Sequence, residues 1–149
     1  TMVEDAEIIG GHSTALNDFR FTKVGRFLRK YKLDELPQFI NILKGEMSLV
    51  GPRPQVTYYT SQYKGKFNQI LSIKPGLTDL ASIYFLDMDQ ILGDENVDEK
   101  YATEIEPIKN LLRLKYVEEQ SFFLDIRILI ETAFRIIGIK NITGLKIKL

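Results

Sequence analysis

Cysteine is absent from the 149 residues, and histidine occurs once, as His12. The first absence excludes a disulfide framework, a thiol nucleophile and a thiolate zinc site, and it fits a reducing compartment. The second excludes a histidine-rich metal cluster. Net charge is also missing: 20 Lys and Arg balance 20 Asp and Glu, so there is no global basic field of the kind that non-specific nucleic-acid binding uses. No apolar run approaches the roughly 20 residues that a spanning helix needs, and no signal-peptide pattern is present. What is there is 44% hydrophobic content over a length suited to one domain with a real core. In such a chain charge matters by location.

Residues 1–20 carry no sustained period and read as a mobile segment, with Gly10-Gly11-His12-Ser13 as a loop. From residue 22 the spacing predicts a helix, because Val24, Phe27, Leu28 and Tyr31 fall at i, i+3, i+4 and i+7. The rest of that stretch is basic: Arg20, Lys23, Arg26, Arg29, Lys30 and Lys32 occur with no acidic residue among them. Such a run is either a solvated helix face or a surface for an anionic partner, a phosphate or an anionic membrane. Asp34 is then a natural N-cap for a second helix, with Pro37 tolerated in its first turn. Leu36, Phe39, Ile40 and Leu43 repeat the apolar stripe, and Gly45 is the expected stop.

Beyond Gly45, residues 47–50 read as a short extended piece and Gly51-Pro52-Arg53-Pro54 as a rigid turn that holds Arg53 between two fixed φ angles. A third helix is expected over residues 56–67, a loop over 74–79 and a strand over 80–86, on its β-branched and aromatic content at Ile83, Tyr84 and Phe85. An acidic linker follows around 93–99. Helical periodicity then spans 101–119, interrupted at Pro107, and a last helix spans 122–137 with Arg127, Glu131 and Arg135 in one charged line. The broad apolar face of that helix is expected to be core, the alternative being a membrane interface. Asp125 falls off the charged line, toward the apolar side or a buried partner. The alternating tail from 139 to 149 either adds an edge strand or frays. The fold class expected is α+β and mostly helical, with amphipathic helices around a short extended element.

The chemistry concentrates at Leu33-Asp34-Glu35-Leu36-Pro37-Gln38. A carboxylate at a helix N-terminus is stabilised as the anion by the dipole and by open backbone N–H groups. Two adjacent carboxylates are costly unless a cation shares them, and Mg²⁺, held by one or two carboxylates and substrate phosphates, is the natural choice. Arg26, Arg29 and Arg53 would supply forked donors for phosphate oxygens. The bland reading stands beside this: Asp34 caps, Glu35 favours the dipole, and each arginine pairs with a surface acid at little net energy.

The segment Phe21-Thr22-Lys23-Val24-Gly25-Arg26-Phe27-Leu28-Arg29-Lys30, the Leu33–Gln38 run, Asn41, and Leu43-Lys44-Gly45-Glu46-Met47-Ser48-Leu49-Val50-Gly51-Pro52-Arg53-Pro54 closely resemble the bacterial sugar transferase family, the monotopic phosphoglycosyl transferases. Lys74-Pro75-Gly76-Leu77-Thr78 and the stretch from Tyr116-Val117 through Ser121 to Asp125 add to the resemblance. It implies transfer of a sugar 1-phosphate from a UDP-sugar to undecaprenyl (polyprenyl) phosphate at the cytoplasmic face of the bacterial inner membrane, through a phosphosugar held covalently on the Asp of the dyad. Asp34 would be the nucleophile and, with Glu35, the Mg²⁺ site; Arg29, Arg53 and Arg26 would bind phosphate. The resemblance also implies that Thr1-Met2 lies inside a Phe-Arg-Thr-Met motif. The chain would then be a single catalytic domain, soluble or peripheral, lacking an upstream re-entrant membrane helix. At Tyr84-Phe85-Leu86-Asp87-Met88-Asp89 the chain departs from the family's basic Arg-Phe-Arg-type run. The rival readings are a non-catalytic membrane- or partner-binding module of the same shape, and nucleic-acid binding through residues 20–32, which zero net charge disfavours.

Overall fold

Local signals start or stop several elements. The computed structural model describes residues 2, 3, 5, 19–30, 33–85, 97–139, 142–145 and 147. In chain order the helices are α1 (Lys23–Lys30), a 3₁₀ turn (Leu33–Glu35), α2 (Leu36–Leu43), α3 (Thr57–Thr60), a 3₁₀ segment (Gly65–Ser72), α4 (Leu80–Tyr84), α5 (Val97–Lys100), a π-helical stretch (Tyr101–Ile105), α6 (Glu106–Glu119) and α7 (Phe122–Ile136). Strands β1 (Ser48–Val50) and β2 (Gly76–Thr78) form a two-stranded parallel sheet, with Ser48 opposite Gly76 and Val50 opposite Thr78. The architecture is therefore α+β and mainly helical, as the sequence led one to expect. The Gly10–Ser13 loop, residues 86–89 of the divergent run, and the start of the acidic linker lie outside the described residues, as does most of the segment read as mobile.

Two compact units divide the chain, one of Thr1–Ile40 with Asp87–Pro107, the other of Asn41–Leu86 with Ile108–Leu149. In the first, Met2 and Phe21 form an antiparallel bridge and Val3 N–H donates to Arg20 O at 2.9 Å. Thr22 opens α1: its Oγ1 accepts the Gly25 N–H at 2.9 Å, which satisfies a donor that the first turn leaves open. Helix α1 packs against the 3₁₀ turn at Leu33–Glu35.

In the second unit α7 lies across both strands and against α4. Parallel strands need a long crossover, and residues 51–75 supply it through α3 and the 3₁₀ segment. At the start of that crossover Gly51 bends the chain, and Gly76 N–H donates to Pro52 O at 3.0 Å. The two backbones approach so closely that a Cβ on Gly76 would stand 2.1 Å from Gly51 N, so neither position has room for a side chain. The core gathers Val50, Ile70, Leu80, Ile83, Leu112 and Ile128. Gly45, at φ +76°, ends α2 by a Schellman arrangement, with Gly45 N–H on Ile42 O and Glu46 N–H on Asn41 O, both at 2.9 Å.

Several expectations are corrected. The third helix stops at Thr60 because Ser61 Oγ and Gln62 Nε2 donate to the Tyr58 carbonyl that a longer helix would use, Gln62 N–H turns to Tyr59 O, and Gly65 takes a positive φ. The loop expected at 74–79 contains β2. The strand expected at 80–86 is instead helix α4, capped by Asp79, whose side chain accepts from Ser82 N–H. Pro107 does not interrupt a helix. It sits in the first turn of α6, and the turn before it widens to i→i+5 bonding, with Glu106 N–H on Tyr101 O, which gives the ring room. No strand is found among the described tail residues. Most of the apolar face of α7 is not core either: only Ile128 and Glu131 are fully buried, while Phe122, Phe123, Ile136 and Ile137 are exposed.

Candidate functional site

In the first unit, α1 carries Arg26 and Arg29. The Arg26 side chain is exposed; the Arg29 guanidinium stands 4.8 Å from the centre of the Phe21 ring, a cation–π contact that orients its plane. Arg20, read as part of the basic run, is instead buried, and Lys32 is outside the described residues. Because α1 packs on the 3₁₀ turn, these arginines belong to the same local structure as Asp34 and Glu35.

Asp34 does not cap α2. The 3₁₀ turn already occupies Leu33–Glu35, so the extended backbone that an N-cap needs is not available there. Its Oδ1 is buried, with no hydrogen-bond partner among the described residues. Leaving an acceptor in that condition costs about 1–3 kcal/mol, and such an atom calls for an explanation. Glu35 differs: its Oε2 accepts from Gln38 Nε2. That bond leaves Gln38 Oε1 as a second buried oxygen without a hydrogen-bond partner among the described residues. Both lie at the start of α2, one helical turn apart. The apolar stripe of α2 faces outward: Leu36, Phe39 and Ile40 are exposed, and Leu43 is 88% exposed. The stripe of α1 behaves similarly at Val24 and Phe27.

Arg53 belongs to the second unit. Its side chain is half-buried, and its backbone N–H donates to Asp79 Oδ2 at 3.3 Å. Asp79 escaped the sequence reading, although an Asp directly ahead of Leu80 is a residue type favoured at a helix N-cap. Asp125 has the buried partner expected: Tyr116 Oη donates to its Oδ1 at 2.8 Å and also lies 3.3 Å from Val50 O. Burial first, then the hydrogen bond and charge of Asp125, then the charge of Asp79, push the Tyr116 phenol well above the ordinary tyrosine range. The charged line on α7 is not a solvated face at Glu131, which is buried and accepts from Arg135 Nε at 2.9 Å and from Thr143 Oγ1 at 3.0 Å.

Among the described residues no group of three or more His, Cys, Asp or Glu is arranged to hold a metal, and no helix is long and apolar enough to cross a membrane. A site that used Asp34 and Glu35 would draw its other cation ligands from elsewhere, as Mg²⁺ does from phosphates and water.

Known proteins resemble the chain strongly. A UDP-glucose:undecaprenyl-phosphate glucose-1-phosphate transferase of Klebsiella pneumoniae is 40% identical over 122 residues, 80% of this chain and 24% of that protein. An undecaprenyl-phosphate galactose phosphotransferase of Salmonella typhimurium is 43% identical over 117 residues, 78% of this chain and 21% of that protein. An uncharacterized sugar transferase of Bacillus subtilis is 37% identical over 121 residues, 81% of this chain and 52% of that protein. The chain thus spans about a quarter of the first two and about half of the third. Residues 1–138 match the family described as Bacterial sugar transferase, and the chain belongs to that family.

Proposed function

We propose that the full-length protein carrying this chain transfers a sugar 1-phosphate from a UDP-sugar to a polyprenyl phosphate such as undecaprenyl phosphate, with Asp34 as nucleophile. An Asp34 carboxylate oxygen attacks the sugar-bearing phosphorus; the bond from that phosphorus to the bridging oxygen breaks, and UMP leaves with the electron pair. The phosphosugar is then an acyl phosphate on Asp34. A phosphate oxygen of the polyprenyl phosphate attacks the same phosphorus, the bond to Asp34 breaks, and the carboxylate is regenerated. One difficult displacement becomes two easier ones, and the bond between sugar and phosphate stays intact throughout.

The observation that carries this reading is Asp34 Oδ1, buried and without a hydrogen-bond donor among the described residues. A carboxylate serving structure would have its oxygens satisfied; Asp34 has one that no described donor serves. Asp34 and Glu35 fit Mg²⁺ by donor chemistry, two hard oxygen groups side by side, and Mg²⁺ bound there would offset the charge of the diphosphate. Gln38 holds Glu35 in orientation. Arg29 and Arg26 from α1 supply guanidinium groups for phosphate oxygens, and Arg53, in the second unit, is carried over as a phosphate-binding residue from the family resemblance. The outward apolar stripes of α1 and α2 and the exposed end of α7 suit a protein that works at the inner membrane surface, where a polyprenyl acceptor is found.

The test is intact mass spectrometry of the full-length protein incubated with candidate UDP-sugars and Mg²⁺. A mass gain equal to one phosphosugar, absent in Asp34→Asn, is expected. Capture by Asp34→Asn at the wild-type level would remove Asp34 from the mechanism.

A further inference from the structure

Pro52 and Pro54 have no backbone N–H, so Arg53 carries the one amide donor of the Pro52-Arg53-Pro54 run, and that donor goes to a carboxylate that is 1% exposed. The partner, Asp79, already has a task for its other oxygen: Oδ1 accepts from Ser82 N–H at 2.6 Å and from Ser82 Oγ at 2.7 Å, which caps α4. A cap requires one oxygen. Oδ2 faces Arg53 N–H and, at 3.9 Å, Nε of Arg113, a guanidinium only 3% exposed on α6. From Arg113 the connections turn back toward the same segment. Its NH1 nitrogen lies 3.0 Å from Asn110 Oδ1 and 3.4 Å from Tyr63 Oη. Tyr63 Oη lies 2.8 Å from Gln55 Oε1 and 2.9 Å from Asn110 Oδ1. The path leaves from the Arg53 amide and ends on Gln55, two residues later, so both flanks of Pro54 are tied to the same face of α6.

We infer that Asp79, Arg113, Asn110 and Tyr63 form a clamp, buried at Asp79 and Arg113, that fixes the backbone under Arg53, and that they are positioning residues for phosphate recognition by Arg53. This rests on the reading of Arg53 as a phosphate-binding group. A guanidinium at the end of four rotatable bonds meets two phosphate oxygens reproducibly only from a stationary backbone. Stability alone does not call for the arrangement: a buried ion pair gains little over well-packed apolar residues, while it does specify one geometry. The prolines set φ on both sides of Arg53, and the clamp fixes the segment's position in the unit.

The experiment is a double-mutant cycle in the full-length protein, with UDP-sugar as the probe and phosphosugar capture as the readout. Tyr63→Phe removes the hydroxyl that joins Gln55 to α6 and keeps the ring. Asp79→Asn removes the charge facing Arg113. Each is expected to raise KM for the UDP-sugar about tenfold, the equivalent of one lost hydrogen bond, and to speed deuterium exchange at the Arg53 amide. In an Arg53→Ala background neither is expected to change KM further. A lowered melting temperature with unaltered KM, or an equal KM change in both backgrounds, would show a purely structural role and overturn the clamp. If Arg53→Ala itself leaves KM unchanged, the phosphate role of Arg53 fails and the inference falls with it. If Arg53→Ala raises KM while both clamp variants do not, the clamp alone is wrong. Should Asp79→Asn fail to fold, Tyr63→Phe carries the cycle.

Discussion

Asp34 and Asp79 each stand beside the start of a short helix, and the protein treats them oppositely. Asp79 is sealed inside the second unit with both oxygens engaged: Ser82 on one, Arg53 N–H and the Arg113 guanidinium at the other. Asp34 lies in a 3₁₀ turn of the first unit with a buried Oδ1 that no described residue serves. The first is a carboxylate used as a structural joint. The second is, on the function proposed above, a carboxylate kept for a ligand. Chemical type and helical position are nearly shared, so the difference lies in which donors the fold brings to each oxygen.

The largest expected effect separates their roles in the reaction. Asp34→Asn should reduce phosphosugar capture by the full-length protein to background, as read by intact mass, whereas any capture lost in Asp79→Asn should return at high UDP-sugar concentration, because it is a defect of affinity. On stability the order reverses. Asp79→Ala removes a cap and strands the buried Arg113 charge, and should destabilise folding by about 3–5 kcal/mol in a urea titration. Asp34→Ala removes an acceptor that no described residue satisfies, and stability should hold or rise. A clear destabilisation by Asp34→Ala would break the comparison and assign Asp34 a structural task.

A smaller effect comes from Tyr116, which faces both Asp125 and Asp79. Its phenol is raised above the unfolded value of about 10. The folded state therefore favours the protonated phenol, and this contribution is fully present below that unfolded value and declines as pH climbs above it. Chemical denaturation across the alkaline range should show this decline in the wild type and a flatter profile in Tyr116→Phe. The smallest effect belongs to the outward stripes: Leu43→Ser, at a side chain 88% exposed, should change folding stability by no more than about 0.5 kcal/mol. The same substitution should weaken retention of the full-length protein on phospholipid vesicles. Unchanged retention would remove α2 from the proposed membrane face.

How much could be read in advance depends on the range of the cause. α2 with its Gly45 stop, β1 and α7 were legible because their signals are local: a 3.6-residue period, a glycine able to take positive φ, a short stretch closed by the rigid Gly51-Pro52 turn. The stretch at 80–84 was misread because β-branched and aromatic residues suggest a strand, while the Asp79 cap and burial against α7 make it a helix. The apolar stripes were found correctly as stripes, yet periodicity does not say what covers a face. The candidate site was legible in the Asp34-Glu35 pair and the arginines on α1. The support for Arg53 was not, since Tyr63, Asp79, Asn110 and Arg113 are scattered over 51 positions in the chain and meet only in the folded unit.

By itself the sequence determined the family, the α+β class, the placement of two carboxylates at the approach to a helix and the stiffness of the Pro52-Arg53-Pro54 run, because each depends on neighbours within a few residues. The tertiary structure decided which carboxylate is satisfied and which has an oxygen that no described residue serves, which apolar faces are core, and which carboxylate meets the Arg53 amide. Those outcomes depend on the donors, charges and surfaces that distant segments bring to a given atom, and burial makes the presence or absence of each such partner energetically decisive.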